Sequence, residues 1–174
     1  MAQFDINTSR SILSGTPGLL KAILSSVPEE WAKTNEGEAT WSPFDIIGHL
    51  IHGEKTDWIP RTKLILSKST EPFTPFDRFA QFENSRGKSL YDLLTEFTHL
   101  RNQNLNELDT LEISEETLQL TGIHPEFGKI TLKQLLATWT AHDLGHIYQI
   151  SRVLAKNYKE ETGPWVKYLR VLTD

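Results

Sequence analysis

The residues best suited to chemistry in this 174-residue chain are the two histidines of His142-Asp143-Leu144-Gly145-His146. They lie in a stretch, Thr131 to Tyr158, that reads as one long helix. Thr131 stands where an N-cap would, with Gln134 three residues on, the capping-box spacing. Apolar residues then recur at helical intervals: Leu132, Leu135, Leu136, Trp139, Ile147, Ile150, Val153 and Leu154. His142 and His146 fall within that stripe. At about 100° per residue they lie roughly 40° apart on one face, one turn above each other. Two imidazoles so spaced can hold one metal ion if a third ligand arrives from elsewhere. The same spacing also arises in helices that only pack, each histidine hydrogen-bonded in the core, so the pair alone leaves both readings open. Gly145 between them disfavours the helix by about 1 kcal/mol against Ala. A position without a side chain would let another helix or a ligand come close.

Further chemistry-bearing groups lie on a second helical stretch. Ser42 is placed as its N-cap, Pro43 at the first helical position and Asp45 at the third. The stretch runs to about Leu66, with a kink expected at Pro60. With His49 as origin, the centre of the apolar face lies at about 130°, so His49 sits at its edge, where a groove between helices would be. His52 is expected to be more exposed. Glu54 and Arg61 project at about 140° and about 120°, into the middle of the apolar face. A charge there needs a partner, although a phase shift at Pro60 would let Arg61 reach solvent instead.

The elements that must position these groups follow from the same periodicity. Residues 8–27 form a first helical pattern, with Pro17 predicting a kink or break near Gly15-Thr16. Residues 29–41 read as a polar loop. A third helix starts near Ser89, with Asp92 in capping-box position, and runs to about residue 108; His99 lies off its stripe and reads as surface. Residues 67–88, with Glu71-Pro-Phe-Thr-Pro-Phe, are too long for a tight connection. They read as a packed crossover with aromatic anchors, or as a cover over a site. Residues 109–130 read as irregular, with a turn-forming run from Gly122 to Gly128 that makes His124 a rim candidate. A short terminal helix over Val166–Leu172 is expected to dock through Trp165, Tyr168 and Leu169. Four helices near 8–27, 43–66, 89–108 and 131–157, with one long crossover, make an all-α four-helix bundle in a single domain over residues 1–174, and not a plain up-down-up-down one.

Composition narrows the function. Charged residues are 24% and the net charge is −5, with no block of Lys or Arg; a nucleic-acid surface and a polybasic membrane patch are not expected. There is no cysteine. That removes disulfides, cysteine–zinc sites and a cysteine nucleophile, and leaves His and carboxylate as the ligands for any metal. Thiol chemistry would need a thiol brought in from outside. No apolar run of membrane-spanning length and no signal-peptide pattern is visible, so a cytoplasmic protein without a membrane partner is the expectation. No Ser/His/Asp triad, phosphate loop or dinucleotide fingerprint occurs.

Three stretches taken together resemble a known family. They are Trp41-Ser-Pro with His49-Leu, Glu54 and Arg61; His124-Pro-Glu-Phe-Gly128 with Thr131-Leu, Leu135-Leu-Ala-Thr-Trp-Thr-Ala-His142-Asp143-Leu-Gly-His146-Ile-Tyr-Gln149; and Gly163-Pro-Trp-Val-Lys-Tyr-Leu-Arg-Val-Leu172. This set is similar to the DinB-like superfamily, in particular its metal-dependent enzymes, and it covers nearly the whole chain. The resemblance implies an up-down-down-up four-helix bundle with a divalent metal in a groove near one end. It implies His49, His142 and His146 as the ligands, with zinc or nickel suited to imidazoles and iron or manganese also open. It implies a metal-dependent enzyme acting on a small organic substrate, by hydrolysis or by transfer that depends on a low-molecular-weight thiol, and a homodimer. The competing expectation is a stress-related bundle that binds a metal or ligand without catalysis. Three nitrogen ligands with open positions is the catalytic arrangement, able to acidify a bound water or thiol. Glu54 is then a candidate general base or a group orienting a ligand, and Gln149, about 20° from His142, a candidate substrate contact or a structural hydrogen-bonder. Asp45 would orient a ligand or cap its helix, and Asp143 points toward a different helix.

Overall fold

The computed structural model describes residues 3–173. Helix α1 (Ile6–Leu24) is capped by Asp5, whose carboxylate accepts the Thr8 N–H at 2.7 Å. It is unbroken through Pro17, where the sequence predicts a kink or break. Proline has no N–H for the carbonyl one turn back, here that of Leu13, and that carbonyl accepts from Arg101 Nη1 at 2.8 Å instead. A one-turn helix α2 (Glu29–Ala32) interrupts the polar loop.

The second predicted helix is two: α3 (Pro43–Thr56) and α4 (Trp58–Leu66), separated by Asp57 at φ −106, ψ −70. Pro60 cannot bond the Thr56 carbonyl and its ring crowds it, so the break falls after Thr56 and not at the proline itself. The crossover carries a short helix α5 (Ala80–Asn84) and leads into α6 (Leu90–Thr110). Next, where the sequence reads as irregular, strands β1 (Thr121–His124) and β2 (Gly128–Thr131) pair antiparallel, Thr121 opposite Thr131 and His124 opposite Gly128. Four-residue strands are too short to show a clear period of two. The turn between them closes on Gly128 at φ 69, a left-handed conformation that glycine adopts freely. Gly122 is required for another reason: a Cβ there would lie 2.6 Å from the Phe73 ring. Helix α7 (Leu132–Lys156) follows, then a 3-10 turn (Gly163–Tyr168) and α8 (Arg170–Thr173). The terminal segment is anchored by Leu172, 5% exposed, and not by Trp165 and Tyr168, which are 65% and 77% exposed.

Complete capping boxes open α3 (Ser42 with Asp45), α6 (Ser89 with Asp92) and α7 (Thr131 with Gln134), as the sequence predicts. Asp45 is thus engaged as a cap. Side-chain pairs then give the helix directions. Lys55 meets Glu96 and Asn104 meets Glu54, while Lys63 meets Glu107, so α3/α4 and α6 run parallel. Phe4 lies under Lys133 and the Ser9 hydroxyl meets that of Thr140, so α1 and α7 run parallel. Arg10 pairs with Asp109 while Leu13 meets Arg101, so α1 and α6 are antiparallel; His49 reaches His146 and Trp58 stacks on Trp139, so α3/α4 and α7 are antiparallel too. The bundle is up-down-down-up.

The core has two apolar halves. One gathers Leu20, Leu24, Ile46, Ile47, Leu50, Leu93, Phe97 and Ile150; the other Leu13, Trp58, Ile65, Leu105, Leu132, Leu136 and Trp139. Between them is a buried ionic group. Arg101, wholly inaccessible, donates to Asp143 from Nη1 at 2.6 Å and from Nη2 at 2.9 Å, and to Glu54 from Nη2 at 2.8 Å. Removing one member of such a group leaves uncompensated buried charge. Arg101→Met is expected to lose about 3–5 kcal/mol in urea unfolding, whereas Arg10→Ala, which removes only the exposed pair with Asp109, is expected to stay within about 1 kcal/mol of the parent.

Candidate metal centre

His49 comes from the middle of α3, at the edge of that helix's apolar face, and the antiparallel α7 passes alongside with His142 and His146 one turn apart. The three side chains meet. His142 Nε2 lies 3.0 Å from His49 Nε2 and 3.1 Å from His146 Nε2. One ligand atom from each lies within 4.8 Å of the others. Three nitrogens about 2.05 Å from one ion in a tetrahedral arrangement stand about 3.3 Å apart, so the observed spacing is close to what a shared ion requires. Burial, then the neighbouring His146, His52 and Arg78, pushes the His49 pKa from 6.5 down to about 3. Burial, then His146, His49 and Arg101, pushes that of His142 to about 2. Burial also lowers that of His146, against its hydrogen bond to Gln149 Oε1. The rings are therefore neutral at physiological pH, with lone pairs free to bind a metal. Converging neutral nitrogens of this kind fit a divalent cation, and the absence of thiolates fits a borderline ion.

Gln149 Oε1 lies 3.0 Å from His146 Nδ1, so that Nδ1–H donates to it and the Nε2 lone pair faces the other histidines. Glu54 is turned away from the rings. Its carboxylate accepts from Arg101, from Asn104 at 2.9 Å and from Trp139 Nε1 at 3.1 Å, and its side chain is inaccessible. Asp143 likewise bonds Arg101 on α6. Gly145 has no close neighbour from another element: among the described residues, nothing beyond its own helix backbone and chain neighbours stands within 4 Å of where its Cβ would be. Gly145→Ala is therefore expected to raise stability by about 1 kcal/mol, read by denaturant unfolding.

A cavity of about 810 Å³ opens beside the histidines. Trp41 and Phe76 pack on His49, with ring centres at 4.8 and 5.2 Å, and Trp58 on His142 at 5.3 Å. Phe76 and Arg78 belong to the 67–88 crossover, which here both packs, through buried Phe73, and covers the site. The crossover also buries His52 against Phe76 at 4.7 Å, so His52 is not the exposed residue that its helix position predicts. It is tied to the hairpin where Phe73 N–H donates to the Ile123 carbonyl at 2.8 Å. His124, a rim candidate in the sequence, lines the cavity.

Sequence reasoning singled out Arg61 but missed its partner. Arg61 Nη2 donates to Asp57 at 2.8 Å, and both residues are buried and line the cavity. Their i, i+4 spacing was the available signal. Burial pushes the Asp57 pKa from 3.8 up to about 6, against the pull of Arg61. A folded-state value above the unfolded one makes the group's contribution to stability fullest below the unfolded value and lost as pH rises through about 6. Asp57→Asn should therefore gain stability relative to the parent between pH 4 and pH 7, in urea melts of both proteins at each pH; parallel pH profiles would contradict this.

Among the described residues, no helix is long and apolar enough to cross a membrane. The fold is similar to that of YfiT from Bacillus subtilis, described as a probable metal-dependent hydrolase with an unusual four-helix bundle topology: TM-score 0.76 at 21% identity, over 90% of this chain and 89% of that one. No curated protein matches the sequence. The sequence does match the profile of the DinB superfamily over residues 12–150, most of its length. With the bundle topology agreeing, the protein belongs to the DinB superfamily.

Proposed function

We propose that the protein is a metal-dependent enzyme acting on a small organic molecule, with His49, His142 and His146 holding a divalent ion. The observation that carries this is the convergence of three neutral imidazole nitrogens on one point at the wall of a covered cavity. Three protein ligands is the number found where a coordination position stays open for chemistry. When bound, the ion supplies Lewis-acid polarisation of a substrate oxygen and acidification of a water or thiol near neutral pH. Zinc or nickel suits the imidazole set. Hydrolysis is the favoured reaction, supported by what YfiT is described as doing. Thiol-dependent transfer is the second, and the lack of cysteine means its thiol would have to be a co-substrate.

The chain's own residues have distinct tasks in this proposal. Gln149 takes the His146 Nδ1 proton as a hydrogen bond and so presents the Nε2 lone pair. Glu54 acts as a positioning group: its carboxylate is engaged by Arg101, Asn104 and Trp139 and holds α3, which bears His49, against α6 and α7. Trp41 and Phe76 pack on His49 and Trp58 on His142, which shields those rings in part from water. The test is metal analysis of untagged protein. Each of His49→Ala, His142→Ala and His146→Ala is expected to lose bound metal and turnover in an esterase, amidase and thiol-transfer panel while the fold survives. Full metal content in all three variants would overturn the ligand assignment. Full metal in the parent with no turnover in any assay would favour a binding protein. Gln149→Ala is expected to keep the fold and weaken metal affinity by about 10–100-fold, read by chelator competition.

A further inference from the structure

The cavity has a second polar group that the metal centre does not use. Arg61 is 7% exposed and donates from Nη2 to Asp57 and to the Thr74 carbonyl at 3.2 Å. Its Nε is buried and has no partner among the described residues. A buried guanidinium whose hydrogen bonds are not all answered by the protein is stabilised by a further acceptor on its accessible edge. His124 offers another donor. Its Nδ1 accepts the backbone N–H groups of Glu126 and Phe127 at 3.1 and 3.2 Å, so the neutral ring carries its proton on Nε2. Burial, then the nearby Arg61, lowers the His124 pKa against the pull of Glu126, which keeps that ring neutral and its Nε2 a donor. Arg78 lines the same cavity, is exposed, has no ion-pair partner among the described residues, and bears electrostatically on His49. The remaining wall carries the apolar Trp58, Phe127, Ile130 and Leu135 together with the polar Gln134 and Thr138 and the carboxylate of Glu126, which neighbours His124 in the turn.

Two arginines and a neutral histidine outnumber the two carboxylates of the lining, Asp57 and Glu126, and Asp57 is already paired with Arg61. We propose that the cavity takes a small organic carboxylate, its anionic group held by the cavity-lining Arg61 guanidinium and His124 Nε2, with Arg78 at the mouth and the apolar body along Trp58 and Phe127. An ionised acceptor makes the stronger partner for a buried guanidinium. The assignment rests on the view above that the cavity beside the three histidines is where substrate binds, and it adds which end of the substrate lies away from them.

The test is equilibrium binding, read by tryptophan fluorescence, of benzoate, phenylacetate and 3-phenylpropanoate against their neutral carboxamides. Binding is measured on zinc-loaded protein and on protein stripped by chelator. At least one carboxylate is expected to bind about tenfold or more tightly than its amide, as one charge-assisted hydrogen bond implies. The preference is expected to persist in stripped protein, to disappear in Arg61→Gln and to weaken in Arg78→Gln. Should Arg61→Gln fail to fold, Arg78→Gln decides, because its side chain is exposed and its loss leaves the core intact. Equal binding of acid and amide overturns the proposal, as does an absence of saturable carboxylate binding at millimolar concentration. An unchanged preference in the foldable variants overturns it as well. So does a preference that vanishes with the metal, since the anion would then sit on the ion. The metal-centre assignment stands or falls separately, on the metal content of the histidine variants.

Discussion

The wholly buried cation of Arg101 organises this molecule. The Arg101 guanidinium has no access to solvent, and such a charge is tolerated only when it is paired with opposite charge and hydrogen-bonded. Its partners come from every other long helix: the Leu13 carbonyl of α1, Glu54 of α3 and Asp143 of α7. Each helix must approach α6 at one height and one rotation for those bonds to form. Apolar packing alone is more forgiving, because hydrophobic contacts are not directional and cores tolerate repacking. The same contact keeps α1 intact, since the carbonyl that Pro17 leaves without a partner is the one Arg101 occupies. Two of the three helices held in this way bear the histidines. Asp143 follows His142 directly, and Glu54 lies just over one turn beyond His49. The register that satisfies Arg101 is therefore also the register that brings three imidazole nitrogens to one point.

The topology explains why there is a cavity at all. Parallel neighbours such as α4 and α6 cannot be joined by a tight turn, so the chain must return along the bundle through residues 67–89. That segment carries Phe76 and Arg78 to the histidines. The connection between α6 and α7 is also long, and its hairpin brings His124 and Phe127 to the same end. The two connections are fastened to each other at Phe73 and Ile123, where Gly122 leaves room for the Phe73 ring. The site thus has a floor of helix side chains and walls of loop side chains, an arrangement in which a rigid scaffold positions the metal ligands and the connections shape what can enter.

Electrostatics in the cavity follows from burial. The imidazoles are kept neutral chiefly because their charged forms lose hydration, and the Asp57 carboxyl is pushed upward for the same reason. Neutral nitrogen donors, an Asp–Arg pair and aromatic walls make a site of low polarity in which a bound cation and an anionic ligand would attract strongly, because little water intervenes to screen them.

Much of this was legible in the sequence wherever the physics is local. Helical period, capping boxes at Ser42, Ser89 and Thr131, and the one-turn spacing of His142 and His146 depend on residues at most four apart, so helix geometry alone determines them. The long 67–88 segment, too, already argued against a simple up-down-up-down bundle. The metal reading of His49 came from the resemblance of its surroundings to the DinB-like superfamily, since nothing in its own helix says which residue it will meet. Tertiary structure decided the rest. Arg101 drew no notice on its own helix, and its importance appears only when Glu54 and Asp143 arrive from sites 47 and 42 residues away. Glu54 was recognisable as a buried charge in need of a partner, but whether it faced the metal or the arginine was a matter of helix rotation. His52 is buried by a loop and Pro17 is accommodated by a side chain of another helix. In each case the deciding contact joins residues far apart in sequence, and only the packing of helices against one another chooses it.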